Sequence, residues 1–158
     1  MGRTVCASCG SAFDEVRKVL FAEICDTCLA SHLSSRAGEL SARLEDLQWP
    51  AALVGRDLVL RQANSRLRAL CDEYATRELR VGEALDCACA TKDARCGETF
   101  FCLQCGVRRV LEVARISGER ISRVPVTIGH RSGERRAYTL TAEGTGDTVL
   151  FMLEPPTP

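Results

Sequence analysis

The fold is decided between Val81 and Ile116, where the sequence reads VGEALDCACATKDARCGETFFCLQCGVRRVLEVARI. Five cysteines lie in this stretch: Cys87, Cys89, Cys96, Cys102 and Cys105. After the last of them, apolar residues recur at the i, i+3, i+4, i+7 spacing of one helix face: Val107, Val110, Leu111 and Ala114. A cysteine-rich loop is therefore predicted to lead directly into a helix that packs on a core.

Two of these cysteines are followed by glycine, in Cys96-Gly97 and Cys105-Gly106. Glycine permits a turn with positive φ, which points backbone N–H groups toward a bound thiolate. Both pairs are therefore predicted to be turns that support a metal or redox site.

Length, charge and cysteine content limit the classes of protein. The chain has 158 residues, of which 46% are apolar, and its 21 acidic and 21 basic residues give no net charge. The length suits one ordinary domain with a small module, and the neutral charge argues against nucleic acid as the main partner. No apolar run reaches membrane-spanning length, and the first residues lack the apolar segment of a secretory signal. We therefore expect a cytoplasmic protein, without a membrane partner, whose ten cysteines are metal ligands or redox thiols.

Residues 1–31 are predicted to form a four-cysteine zinc-ribbon-like module. Cys6 and Cys9 form one CxxC pair, Cys25 and Cys28 form a second, and fifteen residues separate the two pairs. Four thiolates at this spacing suit a closed tetrahedral Zn²⁺ site, which would supply most of the folding free energy of so short a segment. An iron site and unligated thiols are the alternatives. The spacing resembles that of zinc-ribbon and treble-clef modules, which implies no particular function.

Residues 26–48 are predicted to form one helix, of which 32–48 connects the module to the next domain. One face carries an apolar stripe, made of Leu29, Leu33, Ala37, Leu40, Leu44 and Leu47. Trp49-Pro50 ends the helix, because the residue before a proline avoids the α conformation. The stripe can pack on the following domain or form a homodimer through residues 29–47, and both alternatives are open.

Residues 49–155 are predicted to form an α+β domain. Two short strands, about 51–55 and 58–62, precede a helix that Asn64 caps, with Leu67, Leu70, Cys71 and Tyr74 on one face. The cysteine-rich loop 86–106 and its helix follow, and three strands come last, near 120–128, 135–142 and 148–153. This order predicts a five-stranded antiparallel sheet with helices on one face.

The order of elements and several residues resemble a PAS domain. The segment Leu60-Arg-Gln-Ala-Asn64 resembles the second strand and the helix-opening asparagine of that family, and 81–85 resembles the segment before its ligand-facing helices. The loop is similar to that of a cysteine-rich bacterial sub-group with the pattern Gly-x-x-Leu-x-Cys … Cys-Gly-x-x-x-x-Cys-x-x-Cys-Gly, here Gly82, Leu85, Cys87, Cys96-Gly97, Cys102 and Cys105-Gly106. Cys89 lies outside the pattern. The resemblance implies a sensor domain in which this loop replaces the middle helices.

The loop cysteines Cys87, Cys96, Cys102 and Cys105 are predicted to bind either Zn²⁺ or an iron–sulfur cluster. One CxxC pair with two single cysteines fits a cluster somewhat better, but the spacing does not separate the two. A third possibility is a Cys102/Cys105 dithiol near the start of the next helix, where the pKa of a thiol is lowered. Cys71 is expected to be buried and inert, and His130 is expected to lie in a polar turn without a role.

We therefore expect a cytoplasmic signalling sensor or adaptor, not an enzyme, that passes a signal to a partner protein. No output domain follows the last predicted strand, so the output is expected in a partner or in the N-terminal module. A zinc-dependent nucleic-acid-associated regulator is one alternative, although residues 1–31 hold three basic against four acidic residues. A dithiol redox protein is the other, although no histidine lies beside its cysteines.

Overall fold

The computed structural model describes residues 3–6, 9–14, 26–71 and 78–156. The chain divides into two compact units, Met1–Glu39 and Leu40–Pro158, and the boundary falls inside helix α1, Asp26–Arg43. Two residues of the sequence-based predictions, the zinc ligand Cys25 and the helix residue Tyr74, lie outside the described residues. None of the helices in the described part of the chain has both the length and the apolarity that a bilayer-spanning helix requires.

The first unit contains a small hairpin and the start of α1. Strand β1, Arg3–Val5, pairs antiparallel with β2, Ala12–Asp14, and Val5 lies opposite Ala12. The segment that joins the strands begins with Cys6, so the hairpin delivers the first cysteine pair.

The predicted helix over 26–48 is too long, because α1 ends at Arg43. Beyond it, the N–H of Leu44 donates to the Ser41 carbonyl and the N–H of Leu47 donates to the Leu44 carbonyl. These i to i−3 bonds tighten the chain into turns that satisfy carbonyls left free at the helix end. The helix therefore stops one turn earlier than the proline alone would require.

The second unit is built on the predicted sheet. Its strands are β3 (Ala51–Val54), β4 (Leu60–Ala63), β5 (Arg120–Gly129), β6 (Arg135–Thr145) and β7 (Thr148–Glu154). They pair antiparallel in the order β4-β3-β7-β6-β5. Between β4 and β5 lie α2 (Ser65–Ala69), α3 (Val81–Ala84), a 3-10 helix (Phe100–Gln104) and α4 (Gly106–Ser117). The predicted α+β class with a five-stranded antiparallel sheet is confirmed.

Strand β3 is buried on both faces, and its residues alternate between two apolar clusters. Ala52 and Val54 belong to the main core, together with residues of α2, α3 and α4. Ala51 and Leu53 face the opposite side and pack with Leu40, Leu44 and Leu150. The helices after β4 therefore lie on one face, as predicted, while the end of α1 covers the other.

This packing decides part of the question about the apolar stripe. Leu40 and Leu44 are almost completely buried within the chain, and Leu47 packs beside them. At these positions the apolar stripe therefore packs on the following domain, which is the first of the two alternatives. The side chains of Leu29 and Leu33 lie outside the described residues, so pairing of two copies through residues 29–47 stays a prediction.

Helix α4 follows the predicted periodicity and packs unusually close to the sheet. Val107, Leu111 and Ala114 are buried and Val110 is half-buried. A Cβ atom added at Gly144 on β6 would overlap the carbonyl oxygen of Ala114. A residue without a side chain therefore lets α4 lie directly on β6.

Helix α2 is shorter than predicted, although its cap is correct. The Oδ1 atom of Asn64 accepts from the N–H of Leu67 at 3.0 Å and from the N–H of Ala51 at 3.1 Å. The helix ends at Ala69, which leaves Leu70 exposed and Cys71 half-buried. The prediction that both residues lie on a buried helix face was wrong, because five helical residues are too few to return Leu70 to the core.

Candidate functional site: two cysteine clusters

The first cluster brings together three of the four predicted zinc ligands. Sulfur atoms of Cys6, Cys9 and Cys28 all lie within 4.8 Å of one another. Backbone hydrogen bonds fold the segment after β1 into a knuckle, since Cys6 donates to the Ser11 carbonyl at 2.9 Å and Gly10 donates to the Cys6 carbonyl at 2.8 Å. Cys28 comes from the first turn of α1. Because tetrahedral Zn–S bonds of 2.3 Å place sulfurs about 3.8 Å apart, this cluster fits one zinc ion.

The surroundings of Cys9 favour its charged form. Hydrogen bonds from the hydroxyl group and the backbone N–H of Ser11 lower the pKa of the Cys9 thiol. Only a thiolate is a good zinc ligand, so a lowered pKa makes metal binding less dependent on pH.

The second cluster lines a cavity in the second unit. The cavity has a volume of about 210 Å³ and lies among α3, the 3-10 helix, α4 and β5. Its walls carry the five loop cysteines Cys87, Cys89, Cys96, Cys102 and Cys105. Most other wall residues are apolar, including Leu58, Val81, Leu85, Val107, Leu111 and Ile128. We call this space the thiol cavity.

All four predicted loop ligands line the thiol cavity, but their sulfur atoms do not lie close together. This part of the chain is described throughout, and no three of its cysteines have sulfur atoms mutually within 4.8 Å. Among the described residues, that criterion is met only in the first cluster. The two clusters therefore differ in kind, one compact and one spread around an open space.

The side chain of Cys96 packs directly against the backbone of Gly82. A Cβ atom added at Gly82 would lie 2.8 Å from both Cβ and Sγ of Cys96 and 3.5 Å from Cβ of Cys87. The N–H of Gly82 is hydrogen-bonded to the Cys96 sulfur. Burial raises the pKa of the Cys96 thiol to about 11, and the neighbouring thiols of Cys102 and Cys105 add to this shift when charged.

Cys102 has the opposite character. It is only 6% exposed and lies on the 3-10 helix, where Phe100, Phe101 and Leu103 are exposed. Burial by itself would raise the pKa of Cys102. Hydrogen bonds from the Thr99 hydroxyl at 3.2 Å and the Gly97 N–H at 3.3 Å outweigh it, together with the positive charge of Arg108, and lower the pKa.

One of the two predicted Cys-Gly turns is present. Gly97 has φ of +93° and directs its N–H toward the Cys102 sulfur. Gly106 does not have positive φ, because it is the first residue of α4. The prediction of a positive-φ turn after Cys105 was therefore wrong, and Cys105 is instead the N-terminal cap residue of α4.

A network of charged groups holds the loop at Cys96. The carboxylate of Glu83 accepts from the N–H of Arg80 at 2.7 Å, from Nε of Arg95 at 3.3 Å and from the N–H of Cys96. Arg80 in turn donates to the Cys96 carbonyl at 2.8 Å and to Glu98 at 3.1 Å. Burial would raise the pKa of Glu83, but the Arg80 N–H and the Arg95 guanidinium lower it overall. This network fixes the backbone on both sides of the Cys96 sulfur.

Sequence reasoning missed two residues at the site. Cys89 lies outside the family pattern but lines the thiol cavity. It does so from a turn in which the N–H of Ala90 donates to the Cys87 carbonyl, and no periodicity of the sequence indicates this position. His130 is buried rather than in a solvated turn, and its backbone bridges that of Cys87. Its Nε2 atom has no hydrogen-bond partner among the residues that the structure describes. Nothing in the local sequence distinguishes this histidine from a surface one.

No family model matches the chain, and no curated protein matches it. Among solved structures, it is similar to a LOV protein from Rhodobacter sphaeroides, with 14% identity, 78% of this chain and 68% of that chain covered, and a TM-score of 0.48. It is also similar to the PAS domain of an HTR-like protein from Haloarcula marismortui, with 14% identity, 82% of this chain and 99% of that chain covered, and a TM-score of 0.41. A third similar structure is a domain of a sensory box sensor histidine kinase/response regulator from Geobacter sulfurreducens. Its identity is 15%, 77% of this chain and 96% of that chain are covered, and the TM-score is 0.43. Identities this low concern the fold alone and say nothing about a ligand. The fold and the site define an α+β domain with a five-stranded antiparallel sheet and a thiol-lined cavity.

Proposed function

We propose that this protein is a cytoplasmic signalling sensor or adaptor, not an enzyme, that responds to a metal centre or to redox state and acts on a partner protein. The observation that carries the proposal is the convergence of five cysteine side chains on one cavity inside a PAS-like domain. In addition, the five cysteines of this cavity form no disulfides. Several thiols together in one cavity without a disulfide suit a reducing compartment.

Two sets of cysteines would hold metal. Zn²⁺ would bind Cys6, Cys9 and Cys28, with Cys25 as the fourth predicted ligand, and would fix the hairpin against the start of α1. Cys87, Cys96, Cys102 and Cys105 would hold the second centre in the thiol cavity. A metal centre bound there supplies a site whose charge or occupancy changes with conditions in the cell.

The packing of the second unit offers a route from the thiol cavity to α1. Helix α4 starts at the cavity and lies in contact with β6 at Gly144. The sheet continues through β7 to β3, and β3 contacts the main core with one face and Leu40 and Leu44 with the other. A shift of α4 therefore changes the surface on which the end of α1 packs, and we propose this as the output movement.

Hydrogen exchange tests this function on the full-length protein purified without oxygen. We expect Cys102→Ser to lose metal from the second unit and to increase exchange in residues 40–54, since α4 is no longer fixed at the cavity. Cys71→Ser is the matched control, because Cys71 does not line the thiol cavity, and it should keep the metal content and the exchange of the wild type. Wild-type protein that retains no metal in the second unit, and whose exchange in residues 40–54 does not change when its loop thiols are oxidised, would overturn the proposal.

The lowered pKa of Cys102 favours a second candidate, a dithiol redox protein that uses Cys102 and Cys105. The low exposure of Cys102 opposes it, because a disulfide of another protein must reach the attacking sulfur. Rapid formation of a mixed disulfide at Cys102 in the folded, metal-free protein would establish this candidate. Protection of Cys102 until the protein unfolds would exclude it.

A further inference from the structure

We infer that the thiol cavity takes an iron–sulfur cluster rather than a single zinc ion, with Cys87, Cys96, Cys102 and Cys105 as ligands. This inference rests on the proposed function, since it names the centre that the same cavity would hold.

The first argument is the spread of the sulfur atoms. Four thiolates on one zinc ion lie about 3.8 Å from one another, because each Zn–S bond is 2.3 Å long. The cluster at Cys6, Cys9 and Cys28 has this compactness, whereas any three loop cysteines include a pair of sulfurs more than 4.8 Å apart. In an iron–sulfur cluster each thiolate binds a different part of a polynuclear core, so its sulfurs lie farther apart than on a single ion. The loop cysteines therefore lack the compactness of the first cluster, which leaves room among their sulfurs for a larger core.

The second argument is the space that the sulfurs surround. A tetrahedral zinc site is filled by the ion and its ligands, so it leaves no void among the sulfurs. The thiol cavity measures about 210 Å³, which is several times the roughly 30 Å³ that one water molecule occupies in the liquid. Its lining is mainly apolar, and apolar surroundings limit the access of solvent to a bound cluster and tune its potential.

The third argument is the arrangement of donors around the sulfurs. The Gly97 N–H and the Thr99 hydroxyl contact the Cys102 sulfur at 3.3 and 3.2 Å, and the Gly82 N–H is bonded to the Cys96 sulfur. Hydrogen bonds to ligand sulfurs stabilise the charge of a bound cluster and set its potential. An iron–sulfur cluster of this kind takes four thiolates, so Cys89, the fifth cysteine of the cavity wall, is left out of the ligand set.

Two glycines of the cavity wall provide a matched test. A Cβ atom at Gly82 would meet the Cys96 sulfur at 2.8 Å, whereas a Cβ atom at Gly129 would meet nothing within 4 Å. Both residues line the cavity and neither has positive φ. Gly82→Ala therefore displaces one predicted ligand, while Gly129→Ala adds the same methyl group without displacing any.

The experiment is anaerobic reconstitution of the full-length protein with ferrous iron and sulfide, and separately with Zn²⁺, followed by metal and sulfide analysis, visible absorption and Mössbauer spectra. We expect equal amounts of iron and sulfide, more than one iron per chain, and a charge-transfer band. Gly82→Ala and Cys102→Ser should lose this band, and Gly129→Ala and Cys89→Ser should keep it. Melting curves of the metal-free variants identify any variant that fails to fold, and loss of the band in a folded Gly82→Ala protein supports the inference.

The possible failures are distinguishable. One zinc ion in the second unit without sulfide would overturn the cluster but leave a metal-binding sensor. A band that survives in Cys102→Ser would overturn the ligand role of Cys102. A second unit that takes neither iron nor zinc would overturn the cluster and leave only the redox response of the proposed function.

Discussion

The Cys96 side chain rests against the Cα atom of Gly82, so closely that a Cβ atom there would lie 2.8 Å from its sulfur. The two residues are distant in sequence, and Glu83 joins them by accepting the N–H of Cys96. The glycine of the Gly-x-x-Leu-x-Cys pattern, Gly82, therefore leaves space for the Cys96 side chain. Backbone conformation does not require a glycine at this position, because the φ angle of Gly82 is not positive. This contact makes the short helix α3 part of the cysteine site.

Removal of the Asn64 side chain should destabilise the second unit. Asn64→Ala removes the N-terminal cap of α2, which lowers the free energy of unfolding by about 0.5–2 kcal/mol. It also leaves the N–H of Ala51 and the carbonyl of Trp49 without their side-chain partner, which lowers that free energy by about 1–3 kcal/mol more. Chemical denaturation would measure the loss. Ser65→Ala, at the exposed next residue, should change stability little, and an Asn64→Ala loss no larger than this control would contradict the assigned role.

Gly144→Ala should separate α4 from the sheet. The added methyl group would overlap the Ala114 carbonyl, and overpacking of this kind costs about 1–3 kcal/mol or more. Thermal unfolding would report the change. Gly129→Ala, which meets no atom within 4 Å, is the matched control and should melt like the wild type, whereas equal effects of the two variants would argue against close packing at Gly144.

The charge of Glu83 should stabilise the fold in a pH-dependent way. Its pKa is lowered in the folded chain, so its contribution is complete above the unfolded pKa of about 4.3 and is lost as the pH falls through the folded pKa. Glu83→Gln should therefore be less stable than the wild type at pH 7, and the difference should close as the pH falls from about 5 toward 3. Urea denaturation across this range would measure both proteins, and a constant difference would refute the assignment.

Leu44→Ala should show which surface the end of α1 covers. Leu44 is fully buried against the sheet of its own chain, so we expect a loss of about 2–5 kcal/mol that does not depend on protein concentration. Leu70→Ala, at an exposed leucine, should stay within about 0.5 kcal/mol of the wild type. A loss that varies with protein concentration would instead indicate that the stripe is shared between two copies.

Removal of zinc should unfold the first unit alone. The hairpin and the start of α1 converge on Cys6, Cys9 and Cys28, and small metal modules depend on the ion for folding. We expect a chelator to abolish exchange protection in residues 3–14 while β3 and β7 keep theirs. Cys9→Ser should reproduce the effect, and unchanged protection after verified loss of zinc would contradict it.

The order of the five strands of the second unit, the helix α4 and the positions of the two groups of cysteines could be predicted from the sequence. These follow from local information, because apolar periodicity and the spacing of cysteines are properties of neighbouring residues. The hairpin of β1 and β2, the helix α3 and the 3-10 helix were not predicted. The sequence also did not determine where α1 ends or which surface its leucines cover, since the tightened turns after Arg43 and the burial of Leu40 depend on contacts with the sheet.

The arrangement of the loop cysteines could not be predicted from the sequence and follows from the packing of the folded chain. This packing placed Cys89 on the cavity wall, buried His130, and separated a compact cluster from an open one that share the same ligand chemistry. The physical reason is that the distance between two sulfur atoms is set by the elements that carry them. For the loop those elements are α3, the 3-10 helix and α4, whose relative positions are fixed by packing on a sheet that forms largely from the last third of the chain.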